Sequence, residues 1–573
     1  MVQFKVSVVL YFFATALSVA ESQSTNPIVS TEYGKIEGFR HTTPSGFETE
    51  VFLGVPYAAP PIGDLRFEKP IPPTPWTITR QAKSYGAPCV TAPKYSPATA
   101  SEDCLFMNII KPSAPSSDPK GYPVMLWIHG YPVMLWIHGG GYLAGSSADY
   151  PINGTAERIV AKGVIYVSIN YRQAAFGFFS TADSKAPGNY GMWDQIQALK
   201  FIQKVIKKFG GNPDNVTPFG QSAGGISVSL LTLTQKTKNL FKQAIDMSGS
   251  SNYRMELMRK DVNYSLQLAD NLGCGCSSNP KVCLKTKTTA EIQSGMSFIQ
   301  YLLQGDTTIF NGFIPRVDGD LFPNVKYEKL VKQAPKRNIL MGANSQEFYV
   351  FALVSSFSNP SAKYFPITAA KAANFSQQDF ADIVNNVFAT QAVFGNKYQE
   401  AGNKIIAFYN NQTHYDPSRN FYLQIYAQLI SDLLYNVREM REAKWRAAAG
   451  QNVYFYVYNY VPPSMTNALF EGAGHSRELH NLFGQVFGLP VVPLVGDAAA
   501  VQETFSNLLI NFAKTGIPSS GTLQVPKITG NTLDNIQINP VSSIQQDFWR
   551  DRIDFWDYIA ETYGYDWPEL RYV

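Results

Sequence analysis

The segment GQSAG at residues 220–224 is the part of the sequence that most directly suggests chemistry. It has the form G-x-S-x-G, in which a sharp turn from a strand into a helix exposes the serine hydroxyl and the glycines avoid side-chain clashes. Apolar residues 216–219 predict the strand, and residues 226–231 predict the helix. The bare motif arises by chance in many chains, but this context favours Ser222 as a nucleophile over a structural serine in a tight turn.

A nucleophilic serine needs a base, and in this arrangement the histidine follows the serine along the chain. The downstream histidines are His414, His475 and His480. His414 lies in a polar stretch typical of a surface. His475 follows the flexible residues 472–474, which can carry a side chain into a site, whereas His480 lies at a predicted helix start. We therefore predict His475 as the base, with His480 as the alternative, and activity that falls as the pH drops through about 6 to 7.

The candidate acid is Glu347. It follows residues 338–342, which read as a buried strand that ends in a loop. A carboxylate in such a loop can orient an imidazole and stabilise its cation. Spacing alone does not distinguish Glu347 from a surface carboxylate.

A glycine run at residues 138–142, HGGGY, predicts an oxyanion hole. It follows the apolar residues 133–137, which read as a strand, and it offers backbone N–H groups that no side chain obstructs. Each such donor contributes roughly 3 kcal/mol to transition-state stabilisation. The alternative is a glycine turn without a catalytic part.

Strand-like and helix-like segments alternate along the chain and would position these residues. This alternation predicts an α/β fold with a mostly parallel sheet wrapped by helices. No Gly/Ser linker or abrupt change in composition interrupts it, so we expect a single domain over residues 21–573. The predicted strands are residues 164–169, 216–219, 244–247, 338–341 and 453–458, and the longest predicted helices are residues 192–208 and 498–514.

The composition is that of a folded protein that does not bind nucleic acid. Hydrophobic residues make up 45% of the 573 residues and charged residues 16%, and the net charge of +4 is spread without a long basic block. Residues 1–20 carry one lysine, an apolar stretch and small residues at the exit, which predicts a signal peptide rather than a membrane anchor. We therefore expect a secreted chain without a stable membrane anchor, and its sequons at Asn153, Asn215, Asn263, Asn374 and Asn411 predict a glycoprotein.

Five cysteines allow at most two internal disulfides. Cys89 and Cys104 would close a short loop, and Cys283 could pair with Cys274 or Cys276. The spacings match no zinc-binding pattern, and we expect neither a metal nor an organic cofactor.

One nine-residue sequence, YPVMLWIHG, occurs twice in tandem, at residues 122–130 and 131–139. Only the second copy leads directly into the glycine run, so we expect it to form the core strand and the first copy to be extruded as a loop. A shift of nine residues would turn every inward side chain outward, so the copies cannot share one strand position. We interpret the duplication as an artefact of gene modelling or sequencing, with a real surface insertion as the alternative.

Two long motifs resemble those of the type-B carboxylesterases, the cholinesterase/lipase family of α/β-hydrolases. FGGNPDNVTPFGQSAGG at residues 209–225 is similar to the family's serine signature, and EDCLFMNI at residues 102–109 is similar to its second signature. The resemblance spans most of the chain beyond residue 20. It implies a small-molecule ester as substrate and leaves the oligomeric state open.

The resemblance assigns a role to each matching residue. It implies Ser222 as nucleophile, Glu347 as acid and His475 as base. It implies an oxyanion hole formed by the N–H groups of Gly140, Gly141 and Ala223. The implied disulfides are Cys89–Cys104 and Cys274–Cys283, which leave Cys276 unpaired. The implied buried ion pairs are Arg66–Glu102 and Arg172–Asp194.

The chain also departs from the family pattern. Gln221 stands where cholinesterases carry a glutamate, and the loop between Cys89 and Cys104 lacks the tryptophan that binds choline, which argues against acetylcholine as a substrate. Phe348 replaces a common glycine after the acid, and Pro218 lies in the predicted strand before the serine, where it could loosen the turn. We predict a secreted serine carboxylic ester hydrolase acting on uncharged esters. The alternatives are a non-catalytic adhesion or recognition protein and a lipase for long-chain esters.

Overall fold

The structure is a computed structural model that describes residues 26–114, 130–252, 262–297, 312–349, 353, 366–412, 415–486, 493–529 and 531–573. The predicted signal peptide and His414 lie outside these residues. So does the first copy of the repeat, except for Gly130. The predictions made for these segments therefore stay predictions.

Within the described residues, nineteen strands form one large sheet and three small ones. The large sheet has twelve strands in the order β17-β16-β12-β11-β10-β9-β7-β8-β6-β4-β3, with β15 paired to β12. The strands are β1 Ile28–Thr31, β2 Gly34–Glu37, β3 Phe39–Thr42, β4 Glu48–Pro56, β5 Arg80–Gln81, β6 Phe106–Pro112, β7 Tyr131–Ile137, β8 Ile165–Ile169, β9 Gly211–Gln221, β10 Gln243–Met247, β11 Asn338–Asn344, β12 Asn452–Tyr458, β13 Ser519–Ser520, β14 Leu523–Gln524, β15 Lys527–Ile528, β16 Asn535–Ile538, β17 Ser543–Gln545, β18 Tyr565–Asp566 and β19 Arg571–Tyr572.

The centre of the large sheet is parallel, from β8 through β7, β9, β10, β11 and β12 to β16. Antiparallel strands β6, β4 and β3 extend one edge, and β17 extends the other. The predicted α/β class with a mostly parallel sheet is therefore confirmed.

Helices cover both faces of this sheet, and successive residues of β7 show why. Val133, Leu135 and Ile137 pack into a core beneath α3 and α4, whereas Met134 and Trp136 pack on the opposite face beneath α16. The helices are α1 Ile152–Arg158, α2 Ala174–Phe178, α3 Tyr190–Val205, α4 Ala223–Leu233, α5 Asn263–Asn271, α6 Pro280–Lys285, α7 Thr289–Ser297, α8 Tyr327–Gln333, α9 Ala369–Ala373, α10 Gln377–Ile383, α11 Gln391–Phe394, α12 Tyr398–Asn410, α13 Phe421–Ser431, α14 Val437–Ala448, α15 Leu479–Phe483, α16 Gly496–Thr515 and α17 Arg550–Tyr563.

The second copy of the repeat forms β7, as predicted, between β8 and β9 at the centre of the sheet. Helix α3 differs from its predicted bounds of 192–208. It begins at Tyr190 and ends at Val205, and a 3₁₀ turn at Ile206–Phe209 then leads to Gly210 with φ 85°. A tightened last turn before a left-handed glycine is a common helix ending, which apolar periodicity alone does not reveal.

The two disulfides and the two buried ion pairs that the family resemblance implies are present. Cys89 is bonded to Cys104 and Cys274 to Cys283, and the free Cys276 is exposed. The Arg66–Glu102 and Arg172–Asp194 pairs lie 2.6 and 2.7 Å apart. Among the described residues, no helix combines the length and apolarity needed to cross a bilayer.

Candidate active site

Ser222 occupies the turn between β9 and α4 in a strained conformation. Its backbone has φ 58° and ψ −126°, a region that costs on the order of 1 to 3 kcal/mol for a residue with a side chain. Two hydrogen bonds hold it there: the Ser222 N–H donates to the Met247 carbonyl at 2.9 Å, and the Ser222 carbonyl accepts from Ile226 at 2.8 Å. The turn therefore has the geometry that the G-x-S-x-G motif predicts.

The motif glycines allow strand and helix to cross closely. A Cβ on Gly224 would lie 2.0 Å from the Ile137 carbonyl oxygen, at the end of β7. A Cβ on Gly220 would lie 2.6 Å from the Gly224 backbone. Because both neighbours are backbone atoms, neither position can accommodate a side chain without moving β7 or α4.

Pro218 does not interrupt β9. It pairs with Leu135 on β7, and the ladder to β10 begins one residue later, at Phe219 opposite Ile245. Strand β9 continues to Gln221, directly before the turn. The expected loosening of the turn is not seen.

His475 and Glu347 meet through two hydrogen bonds. His475 Nδ1 lies 2.5 Å from Glu347 Oε2, and the His475 backbone N–H donates to the Glu347 carbonyl at 3.0 Å. Glu347 lies three residues beyond the end of β11 and is fully buried, and the His475 side chain is 7% exposed. This geometry suits a carboxylate that orients an imidazole.

The other oxygen of Glu347 is also held. Oε1 accepts hydrogen bonds from Ser248 Oγ at 2.6 Å and from the Asn344 backbone N–H at 2.5 Å. Hydrogen bonds of this kind stabilise an ionised carboxylate in a buried place. Phe348, the expected departure, leaves this loop intact: its N–H donates to Ser431 Oγ at 3.0 Å, and its φ is not positive, so no glycine is needed.

The far side of the imidazole faces Gln221, the residue before Ser222. Gln221 Nε2 lies 3.2 Å from His475 Nε2. The Tyr435 ring packs beside the imidazole with a centroid distance of 4.9 Å. Tyr435 belongs to a π-helical turn, Asp432–Asn436, that joins α13 to α14, and such turns are frequent at functional sites.

The glycine run after β7 passes next to the serine. A Cβ on Gly139 would lie 3.1 Å from Ser222 Cβ, so the loop touches Ser222. Gly140 and Gly141 have φ values of 110° and 64°, and the Gly140 carbonyl accepts from Leu143 and Ala144 in a tight turn. The loop therefore brings Gly140 and Gly141 close to the turn that contains Ser222 and Ala223.

His138 supports this loop without being a base. It is fully buried, Nδ1 contacts the Gly139 carbonyl at 2.8 Å, and the ring stacks on Tyr171 at 4.7 Å. Burial lowers the pKa of His138, so the ring is neutral and acts as a spacer.

His480 is held away from Glu347. Its Nδ1 contacts the Arg477 carbonyl, and its own carbonyl contacts Arg158. Burial lowers the pKa of His480 to about 4, which keeps the ring neutral. Of the two candidate bases in the described residues, only His475 reaches the acid.

Three residues behind the acid were not singled out as site residues from sequence. Asn344 Nδ2 donates to Glu478 Oε2 at 2.7 Å and lies 3.3 Å from Glu347 Oε1, so it links the two carboxyl groups. Burial and then the charge of Glu347 raise the pKa of Glu478 to about 7. Ser248 and Asn344 lie at the carboxyl ends of β10 and β11, and polar residues at that edge of a parallel sheet were the available signal.

The strand order and the position of each loop are those of an α/β-hydrolase: the serine turn follows β9 and the acid loop follows β11. A solved structure named PNB esterase aligns with this chain at a TM-score of 0.72 and 26% identity, covering 93% of this chain and 100% of that one. The chain belongs to the carboxylesterase family, whose model matches residues 25–131 and 130–556. The first matched range ends, and the second begins, at the junction between the two copies of the repeat.

Named relatives cover nearly the same length. Gut esterase 1 of Caenorhabditis briggsae is 32% identical over 564 residues, which is 95% of each chain. Bile salt-activated lipase of Bos taurus is 30% identical over 515 residues, covering 87% of this chain and 80% of that protein. The protein is a carboxylic ester hydrolase.

Within the described residues, no group of three His, Cys, Asp or Glu side chains could hold a metal ion.

Proposed function

We propose that the protein is a secreted serine carboxylic ester hydrolase that acts on uncharged esters through an acyl-enzyme intermediate. Ser222 is the nucleophile, His475 the base and Glu347 the acid. The observation that carries this proposal is the position of His475, which bonds to Glu347 through Nδ1 and reaches the residue next to Ser222 with Nε2.

These contacts support the following reaction. His475 Nε2 takes the proton of Ser222 Oγ, which attacks the acyl carbonyl carbon, and Glu347 stabilises the imidazolium. The N–H groups of Gly140, Gly141 and Ala223 bind the oxyanion. The imidazolium gives its proton to the leaving alcohol, and water then repeats the cycle on the acyl-enzyme.

The charge near the Cys89–Cys104 loop supports uncharged substrates. In place of a tryptophan, this loop carries the exposed Lys94, whose Nζ lies 5.8 Å from the Tyr95 ring centroid. A positive charge here disfavours a quaternary ammonium ligand. A panel of uncharged esters and matching choline esters tests this, and faster turnover of the choline esters would contradict it.

Two disulfides support secretion, because such bonds persist in oxidising compartments. Among the sequon asparagines, Asn215 is buried and a poor glycan acceptor, whereas Asn153, Asn263, Asn374 and Asn411 are exposed. The signal peptide can be tested by expressing the full chain in a secreting cell and determining the N-terminal sequence of the protein recovered from the medium. We expect the secreted chain to begin near Glu21.

A fluorophosphonate probe tests the nucleophile, because only an activated serine reacts with it. The secreted protein should be labelled, and the Ser222→Ala variant should not. If neither is labelled, the non-catalytic adhesion or recognition function takes precedence.

A lipase is the second candidate, and the relative named bile salt-activated lipase favours considering it. Rates on short-chain soluble esters and on long-chain emulsified esters separate the two. Faster hydrolysis at the emulsion interface would assign the protein to the lipases.

A further inference from the structure

Three segments at the starts of neighbouring parallel strands carry a cluster of lysines. They are residues 207–214, at the start of β9, residues 235–242, directly before β10, and residues 332–337, directly before β11. Strands β9, β10 and β11 lie side by side in this order, so their amino ends share one edge of the sheet. Six exposed lysines of these segments have no ion-pair partner among the described residues, and we call them the basic face: Lys207, Lys208, Lys238, Lys242, Lys332 and Lys336.

Hydrogen bonds join the three segments into one surface. The guanidinium group of the buried Arg337 donates to the carbonyls of Thr237 and Lys238 at 2.8 and 3.2 Å. The Lys242 backbone N–H donates to the Val216 carbonyl in β9 at 3.0 Å. Lysines from three distant parts of the sequence therefore share one face.

The positive charge at this edge exceeds that of the whole protein. The three segments contain eight basic residues and one acidic residue, Asp214, which gives a net charge of +7, whereas the whole chain carries +4. The rest of the chain therefore carries a net charge of −3. Lys236, the remaining lysine of the segments, is paired with Asp320 at 3.2 Å and is not counted in the basic face. A concentration of one sign of charge creates a potential that attracts oppositely charged partners.

The basic face lies at the opposite edge of the sheet from the candidate active site. Ser222 and Glu347 follow the carboxyl ends of β9 and β11, and a strand of seven residues such as β11 spans roughly 20 Å. A partner at the amino edge therefore leaves the active site open. None of the large apolar side chains of the three segments is exposed. Surfaces that bind membranes usually add such side chains to their lysines, so this face favours a water-soluble polyanion.

We propose that the basic face binds a linear sulfated polysaccharide through contacts between lysine ammonium groups and sulfate groups. This role goes beyond ester hydrolysis, and its setting rests on the proposed secretion, because such polymers lie outside the cell. The two disulfides are consistent with that compartment. Binding at the amino edge holds the enzyme on the polymer with its active site turned outward.

Heparin is the probe for the first test, and two variants with the same change in charge are compared. Lysines that bind a linear polyanion release its counterions, so the affinity depends steeply on salt. Replacing four lysines of the basic face should weaken heparin binding at least about tenfold near 0.15 M salt and lower the slope of log K against log salt concentration by about 2 to 4. The face variant combines Lys207→Gln, Lys208→Gln, Lys238→Gln and Lys242→Gln. The control variant combines four exposed lysines from other parts of the chain, Lys185→Gln, Lys287→Gln, Lys397→Gln and Lys404→Gln, and should bind heparin within about threefold of the unmodified protein.

Two further measurements identify the partner and separate binding from catalysis. Hyaluronan carries carboxylates without sulfates and should bind much more weakly than heparin, and so should phosphatidylcholine–phosphatidylserine vesicles. Hydrolysis of a soluble ester should be unchanged in both variants, because the replaced lysines lie away from the site. Heparin binding by a protein that proves to lack esterase activity would support the basic face while removing the proposed function.

Three results would overturn the inference. The first is no binding of heparin to the unmodified protein at physiological salt. The second is an equal loss of heparin binding in the face and control variants, which would reduce the interaction to overall charge. The third is tighter binding to the anionic vesicles than to heparin, lost in the face variant, which would make this edge a membrane-binding surface.

Discussion

At the scale of single residues, His475 precedes helix α15 and His480 lies within it, and the two have different partners. His475 Nδ1 faces Glu347, whereas His480 Nδ1 faces the Arg477 carbonyl. Because the residues of the proposed triad would act as a unit, Ser222→Ala and His475→Ala should each lower kcat by roughly 10⁴- to 10⁶-fold. His480→Ala is the matched control and should keep kcat within a few-fold. Steady-state kinetics on a soluble ester would contradict the assignment if His480→Ala were inactive and His475→Ala active.

Glu478 should make the free energy of unfolding depend on pH. Its pKa is raised to about 7 in the folded protein, from an ordinary value of 4.5, so the folded state holds the proton longer than the unfolded state does. Stability from this group is therefore lost as the pH rises from about 4.5 to 7, on the order of 3 kcal/mol in all. In Glu478→Gln the amide oxygen can still accept from Asn344, and this loss disappears.

Urea unfolding of Glu478→Gln and of the unmodified protein at matched pH values tests this prediction. The variant should gain stability relative to the unmodified protein as the pH rises through that window. A difference that does not change with pH would mean that Glu478 is not held protonated.

Where a motif names a residue, the sequence gives a definite prediction of the candidate site. Ser222 follows from G-x-S-x-G, and the choice of His475 over His480 follows from its loop. The links from Ser248 and Asn344 to Glu347 could not be predicted, because they depend on which strand ends lie side by side. The contact between Gln221 and His475 joins residues 254 positions apart and has no local signature.

At the scale of elements, the crossing of β7 and α4 depends on Gly224. Adding a Cβ there produces a contact of 2.0 Å with the Ile137 carbonyl oxygen. The first glycine of the glycine run, Gly139, lies two residues after Ile137. We expect Gly224→Ala to destabilise the protein by about 1 to 3 kcal/mol and to lower kcat by about 100-fold, because the glycine run after β7, the proposed oxyanion hole, is displaced.

Gly210→Ala is the matched control at the opposite end of β9. Gly210 has φ 85° but no atom within 4 Å of an added Cβ, so the substitution adds only backbone strain. Its kcat should equal that of the unmodified enzyme. Normal turnover in Gly224→Ala would show that the crossing tolerates a methyl group.

Substitutions in the two copies of the repeat should have different effects, because only the second copy forms strand β7. Trp136 in the second copy is fully buried and packs against Tyr150, Phe219 and Phe483 at ring distances of 5.0, 4.8 and 4.8 Å. Trp136→Ala should therefore lower the free energy of unfolding by about 3 to 5 kcal/mol. Trp127→Ala changes the equivalent residue of the first copy and should cost much less. Denaturant unfolding of both variants compares them, and the opposite ranking would place the first copy in the strand.

Six of the twelve strands of the sheet, β7 to β12, were predictable because they are buried on both faces and read as continuous apolar runs. β9 was predicted too short, since Asn212, Pro213 and Asp214 at its start are typical of turns. Gly211 and Val216 pair with Tyr131 and Val133 on β7, and residues 212–215 form an irregular stretch between these two pairs. The Asp214 N–H donates to Asn212 Oδ1 at 2.9 Å, so the turn-like pattern of these residues is seen in the structure even though the strand runs through them.

At the scale of the whole molecule, the order of the strands could not be predicted from local patterns. β9 lies between β7 and β10, and β8 lies on the far side of β7, although it follows β7 in the chain. Local patterns give the alternation of strands and helices, whereas the crossovers that bring Ser222, Glu347 and His475 to one edge are long-range. The resemblance to a known family grouped these three residues for this chain, but it did not supply the strand order.

The tandem repeat also matters at this scale, because its nine extra residues lengthen the connection between β6 and β7. Removing residues 122–130 or residues 131–139 yields the same shortened sequence, so a deletion tests whether the nine extra residues are needed at all. The two matched ranges of the family model meet at this junction, as expected if one copy is an addition. Sequencing the transcript would show whether the mature message carries both copies.

The shortened protein should fold and keep its esterase activity. Gly130 precedes β7 and packs so closely that a Cβ would lie 2.7 Å from the Gly211 backbone, and deletion of residues 122–130 puts another glycine, Gly121, in its place. The remaining connection is long enough, because Tyr131 Oη already reaches the Ala114 carbonyl at 3.1 Å. We expect kcat/KM within about twofold of the full chain and an equal or higher free energy of unfolding, since a shorter loop loses less entropy on closure. Loss of ester hydrolysis in a folded, shortened protein would mean that the nine extra residues contribute to the site.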